Sequence, residues 1–96
     1  MLSEIANRLD GGVLSGEEAK EASEEMSLSL AALRSAGEIS NDAYLDAGVI
    51  QGGISVLSNM IDQGCSKEEL LSHMNQLSQR ADRICLAHPE LAEYFE

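Results

Sequence analysis

The side chains of this chain most suited to nucleophilic, general-base and soft-metal chemistry are His73, His88, Cys65 and Cys85. On one helix His73 and His88 would stand roughly 22 Å apart, given a rise of about 1.5 Å per residue. They cannot share a metal unless the helix breaks. Cys85 and His88 are three apart and can face the same way, but two ligands fill only half of a tetrahedral site. A buried cysteine beside a helix-ending histidine is the simpler reading. Cys65 and Cys85 have neither metal nor redox spacing, and one bridge would not make a disulfide framework, so a reduced, cytoplasmic setting is expected.

Carboxylates are the other candidates. Glu17, Glu18, Glu21, Glu24 and Glu25 do not form a calcium loop, which wraps oxygen ligands around a turn with a central glycine. Nor do they supply the Glu-x-x-His pairs of a ferritin-like site. A solvated helix face is the default. Gly52 and Gly53 fall inside a helical pattern, and Gly11-Gly12 is followed by no GK[ST], so no phosphate cradle is expected. With no polar constellation converging on a pocket, the chain reads as a non-enzyme with no cofactor and no metal.

Seventeen acidic against six basic residues give a net charge of −11. Such a surface repels phosphate backbones, so no direct nucleic-acid binding is expected. A helix-turn-helix drawn from the short connections would carry glutamates where arginine or lysine is needed. The same field would speed encounter with a basic protein, an effect that salt weakens over about 10 Å. Acidity also serves solubility alone.

These residues must be held by helices, and the central one runs through Ser40 to Gly64. Ala43, Ala47, Ile50, Ile54, Leu57 and Ile61 recur at steps of four and three, one stripe of an α-helix. Leu45, Val49, Val56 and Met60 form a second apolar row further round. Tyr44, Gln51, Ser55, Ser58, Asn59 and Asp62 occupy the sector fit for water. A helix apolar over more than half its circumference has to be covered from two sides. Gly48, Gly52 and Gly53 each cost about 1 kcal/mol relative to alanine inside a helix. Gly48 and Gly52 make a small-xxx-small step, which either accepts a second helix backbone in a homodimer or is filled by a neighbouring Leu or Met.

Around that helix, Ser3 is the expected cap of a short helix from Glu4 to Asp10, stopped by Gly11 and Gly12. Ser15 and Glu18 form a capping box that opens a helix from Gly16 to about Ala36. Its inner face is Ala19, Ala22, Met26, Leu30 and Leu33. Glu17, Glu21 and Glu24 fall opposite, Glu18 and Glu25 flank them, and Leu28 stands among them. Gly37 ends it, and Ser40 caps the central helix. Gly64 closes that helix, Ser66 and Glu69 form a second capping box, and a helix from Lys67 to about Ala87 follows. Its inner face is Leu70, Met74, Leu77, Ala81 and Ile84. Pro89 starts a final turn in which Leu91, Tyr94 and Phe95 either fold back as a lid or stay loose until a partner orders them.

The expected architecture is therefore all-α, one domain over residues 1–96: a bundle of three long antiparallel helices with short helices at both ends. Only three aromatics are present in a chain that is 44% apolar, so its core is aliphatic. No signal peptide and no membrane span are expected.

Two functions fit. In the first, an acidic protein-binding module uses Glu17, Glu21, Glu24, Glu25 and Leu28 to dock on a basic, nucleic-acid-binding surface of a larger complex and inhibits it. Phage anti-CRISPR and DNA-mimic proteins work by this general strategy, and the one-turn glutamate spacing of about 5 to 6 Å is comparable to that of phosphates. In the second, a helical chaperone or adaptor, as in secretion systems, shields an amphipathic client with Leu45, Val49, Gly52, Val56 and Met60. The same row is the candidate homodimer face.

Overall fold

The computed structural model describes residues 1–96, with no strand and five α-helices. They are α1 (Leu2–Asp10), α2 (Gly16–Ser35), α3 (Asn41–Asp62), α4 (Lys67–Ala87) and α5 (Ala92–Phe95), the last preceded by a 3₁₀ turn at Pro89–Leu91. No helix is long and apolar enough to cross a membrane.

Sequence-local chemistry sets most of the boundaries. The Ser15 hydroxyl accepts from the Glu18 amide while the Glu18 carboxylate accepts from the Ser15 amide, so the capping box is complete. Ser40 caps α3 by accepting from Ala43 N–H. Gly12, Gly37 and Gly64 follow α1, α2 and α3 in the left-handed region, where L side chains are strained.

Two expected caps differ. Ser3 does not cap α1: the helix begins at Leu2, with Met1 at the cap position and no side-chain cap. Burial of Leu2 together with Ile5 and Leu9 makes the earlier start favourable. At α4 the Ser66 hydroxyl accepts from Glu69 N–H, but Glu69 then takes the hydroxyl proton and not the Ser66 amide. The second capping box is only half formed.

Helix α3 lies between α2 and α4, its main stripe wholly buried from Ala43 to Leu57 and half-buried at Ile61. Ala19, Ala43 and Ala47 are inaccessible, so small side chains let α2 and α3 approach closely. On the other side α4 reaches α3 through Leu77, which fills the space over Gly53, and through His73, whose Nε2 bonds the Gly53 carbonyl at 2.9 Å. Helices α2 and α4 hardly touch each other. Helix α1 rests on α4, as does the 3₁₀ turn of the C-terminal segment. Leu91 and Phe95 are buried, and Tyr94 bonds Ser29 of α2 at 2.5 Å. The lid is thus packed, not loose.

Three expectations about the rim of α3 change. The second apolar row is not covered by this chain: Leu45, Val49 and Val56 are 59%, 41% and 48% exposed, and Met60 is half-buried. Gln51 and Ser58 leave the water sector and face α2, where Ser58 donates to the Gly16 carbonyl at 2.7 Å and Gln51 donates to Ser23 at 2.8 Å. Tyr44 is half-buried under Arg34, whose guanidinium lies 4.1 Å from the ring centroid. These groups go inside because each has a partner there, which removes most of the penalty of burying it.

Ser58→Ala should therefore lower stability by about 1 kcal/mol, the usual worth of one buried hydrogen bond. A urea midpoint indistinguishable from wild type would contradict the Ser58–Gly16 link.

Candidate functional site

Chemistry-bearing side chains are dispersed. His73 is tied to the Gly53 carbonyl, and His88 Nε2 sits 2.7 Å from Asp46 Oδ2 on a different stretch of α3. Cys65 and Cys85 are both free thiols. Burial pushes the Cys85 thiol above its ordinary pKa, and the charges of Asp82 and Glu96 act in the same direction, so the thiolate needed for nucleophilic work is disfavoured. No group of three or more His, Cys, Asp or Glu side chains is arranged to hold a metal ion.

The acidic face of α2 is more coherent. Glu17, Glu21, Glu24 and Glu25 are all exposed, and Leu28, 74% exposed, stands among them. None of the four carboxylates has a basic side chain within ion-pair distance; the ion pairs present are Arg8–Glu18 and Lys67–Asp10, and His88 hydrogen-bonds Asp46. Side chains at this spacing share one side of the helix, and the exposed Lys20 at its flank offsets only part of their charge, so the field there stays negative.

Glu18 is the exception and has a structural task. Arg8 of α1 bonds its carboxylate and also reaches the Val13 carbonyl, tying α1 to the start of α2. The Arg8 hydrogen bond, helped by the Ser15 amide and hydroxyl, holds the Glu18 carboxyl at about 2, against an ordinary 4.5. A depressed folded-state value contributes stability that is fully present above pH 4.5 and is lost as pH falls from there towards 2. Glu18→Gln keeps a capping acceptor but removes the charge. We expect this variant to be less stable than wild type at pH 6 and to converge with it near pH 2, as chemical denaturation across that range would show.

Beyond the Arg8–Glu18 pair, α1 and α2 scarcely touch, because α1 rests on α4. A groove of about 560 Å³ remains between them, lined by the apolar Ile5, Leu14 and Ala22 with the exposed Leu28 at its edge. Glu4, Glu18, Glu21, Glu24 and Glu25 border it, and Arg8 is its sole side-chain cation. The structure thus brings Glu21, Glu24, Glu25 and Leu28 together with α1. Glu17 lies on the same helix but does not line the groove. Sequence reasoning missed Glu4 and Ile5, since nothing in α1 alone says which helix it rests on.

The second candidate surface is the outward row of α3. Leu45, Val49 and Val56 flank Gly48 and Gly52, and a Cβ added at either glycine would meet nothing within 4 Å. The expectation that a neighbouring Leu or Met fills this step is overturned; that filling happens one residue later, where Leu77 occupies the space over Gly53.

The class these observations define is an all-α helical bundle with an acidic groove and an open apolar stripe. No protein-family model, curated protein or solved structure matches the chain.

Proposed function

We propose that this protein is a non-enzymatic, acidic binding module that docks the outer face of α2 on a basic surface of a larger complex, in the cytoplasm, and blocks or modulates that surface. The observation that carries the reading is the unpaired set Glu17, Glu21, Glu24 and Glu25 around the exposed Leu28. Carboxylates on a rigid helix can imitate the charge of a phosphate strand without its backbone flexibility, so little backbone order has to be created on binding. A surface evolved to hold nucleic acid would meet them with lysines and arginines. DNA-mimic and anti-CRISPR inhibitors act in this general way.

The test is affinity capture of the cellular partner with intact protein and with the Glu21→Lys/Glu24→Lys variant, over a series of salt concentrations. A partner released by salt and lost from the double variant agrees with the proposal. A partner held equally by both proteins at high salt ends it.

A second reading has its own observation. The stripe Leu45, Val49, Val56 with Met60 beside it is apolar and open, and Gly48 and Gly52 leave the helix surface free for close approach. An adaptor for an amphipathic client, or a homodimer, would use it. Val56→Asp sits at an exposed position, so it should leave the unfolding free energy of the monomer within about 0.5 kcal/mol of wild type. It should also abolish client binding or dimerisation on this reading. Sedimentation as an unchanged monomer, with capture unaffected, would remove it.

A further inference from the structure

The groove between α1 and α2 has a floor as well as a charged border. A second hollow of about 440 Å³ adjoins it and shares Met1, Ala22, Glu25 and Leu28, adding Met26 and Ser29. The two form one trough along α2 from Glu18 to Ser29, roughly 16 Å or three helical turns. Five carboxylates line it with the Arg8 guanidinium and Met1; Arg8 is engaged by Glu18 and the terminal ammonium by the Glu96 carbonyl, which leaves Glu4, Glu21, Glu24 and Glu25 without a basic side chain.

We infer that this trough seats a basic amphipathic helix of the partner protein, about three turns long, with large apolar side chains on the floor and lysines or arginines on both flanks. The inference rests on the acidic-face reading above and names the partner chemistry for the same site. Charge complementarity selects the occupant. Polynucleotides and anionic lipid head groups are repelled by the border. A second copy of this chain is a poor match: Arg8 and Lys67 are paired and Arg34 is stacked on Tyr44, which leaves Lys20, Arg80 and Arg83, with Asp82 beside the last two. An extended peptide is disfavoured as well. The walls are helices whose own backbone groups are bonded internally, so an incoming strand would find no main-chain partners, whereas a helix brings its hydrogen bonds with it.

The probe is a synthetic 14-residue helical peptide with leucines one turn apart and lysines on both flanks, titrated against the full chain by fluorescence anisotropy at low and high salt. One control peptide replaces the leucines with serine and keeps the lysines; another replaces the lysines with glutamate and keeps the leucines. Ala22→Leu fills the floor without altering charge, and Leu28→Ser removes an exposed apolar side chain without disturbing the core. Glu21→Lys with Glu25→Lys reverses the border.

The lysine–leucine peptide should bind, more weakly at high salt. Serine replacement, Ala22→Leu and Leu28→Ser should each weaken it about ten-fold or more, the worth of one buried large apolar side chain. Border reversal should weaken it similarly and remove the salt dependence. If the serine peptide binds as well as its parent and the floor variants change nothing while border reversal still does, the groove inference falls and the acidic-face reading stands. If the parent peptide binds and border reversal also changes nothing, both fall; if the parent peptide fails to bind, the groove inference falls and capture of the cellular partner decides the acidic-face reading. A dimer in sedimentation that Ala22→Leu dissociates would assign the trough to a second copy and overturn the inference.

Discussion

Replacing Gly53 with valine should lower the melting temperature by roughly 10 °C or more, whereas alanine at Gly48 or Gly52, on the same helix, should raise it. At Gly53 a new Cβ would lie 2.9 Å from Leu77 Cδ1 and 3.1 Å from its Cγ, with Cδ2 closer still. Leu77 cannot swing away freely, because it is buried in the α3–α4 contact. The methyl groups of valine enlarge the collision, so the helix-propensity gain over glycine, a few tenths of a kcal/mol, is outweighed. Overpacking of a tight core costs typically about 1 to 3 kcal/mol. For a domain of this size each kcal/mol is worth about 4 to 8 °C. At Gly48 and Gly52 nothing lies within 4 Å of the added carbon, and the propensity gain of up to about 1 kcal/mol stands alone. Differential scanning calorimetry on the three variants checks the sign at each position. A destabilised Gly52→Ala would mean that its surroundings in solution are not open.

That contrast also marks where the sequence stops being informative. The buried stripe of α3, the ends of α2, α3 and α4, and the glycine stops can be read directly. Each follows from local rules: a period of 3.6, a hydroxyl three residues before a backbone donor, a position needing positive φ. Gly48, Gly52 and Gly53 look alike in sequence, and only the position of α4 tells which one is filled. Likewise the second row of α3 announces that it is apolar but not whether a neighbour reaches it, and no neighbour in this chain does. Gln51 and Ser58 read as wettable, yet they face α2 because Ser23 and the Gly16 carbonyl wait there. The candidate site was half visible. The glutamate face and Leu28 follow from helical geometry, while the groove exists because α1 rests on α4 and leaves α2 uncovered, a tertiary choice that α1's three buried apolar residues do not encode.

The largest functional effect should come from Glu21→Lys with Glu24→Lys. Each change turns −1 into +1, so the pair moves the net charge from −11 to −7 and reverses the field at the centre of the α2 face. Stability should not suffer. Lys at 21 falls four residues after Glu17 and four before Glu25, which replaces two like-charge pairs by opposite pairs worth about 0.3 to 0.5 kcal/mol each, while Lys at 24 turns one opposite pair, with Lys20, into a like pair, so the balance stays near or above zero. Any loss of binding is then not a loss of fold, and an unchanged or raised melting temperature would establish that. With a purified basic partner, electrostatic steering is worth about 10- to 1,000-fold in association rate. Reversal at the contact should forfeit most of it, a drop of about 100-fold at 50 mM salt. Raising salt to 300 mM shortens the screening length and should bring wild type and variant together, chiefly through a slower wild-type association. Stopped-flow rates at the two salt concentrations separate this from contact chemistry. A deficit of the same size at both, residing in dissociation, would place the energy in short-range contacts and remove the field of α2 as the cause of recognition.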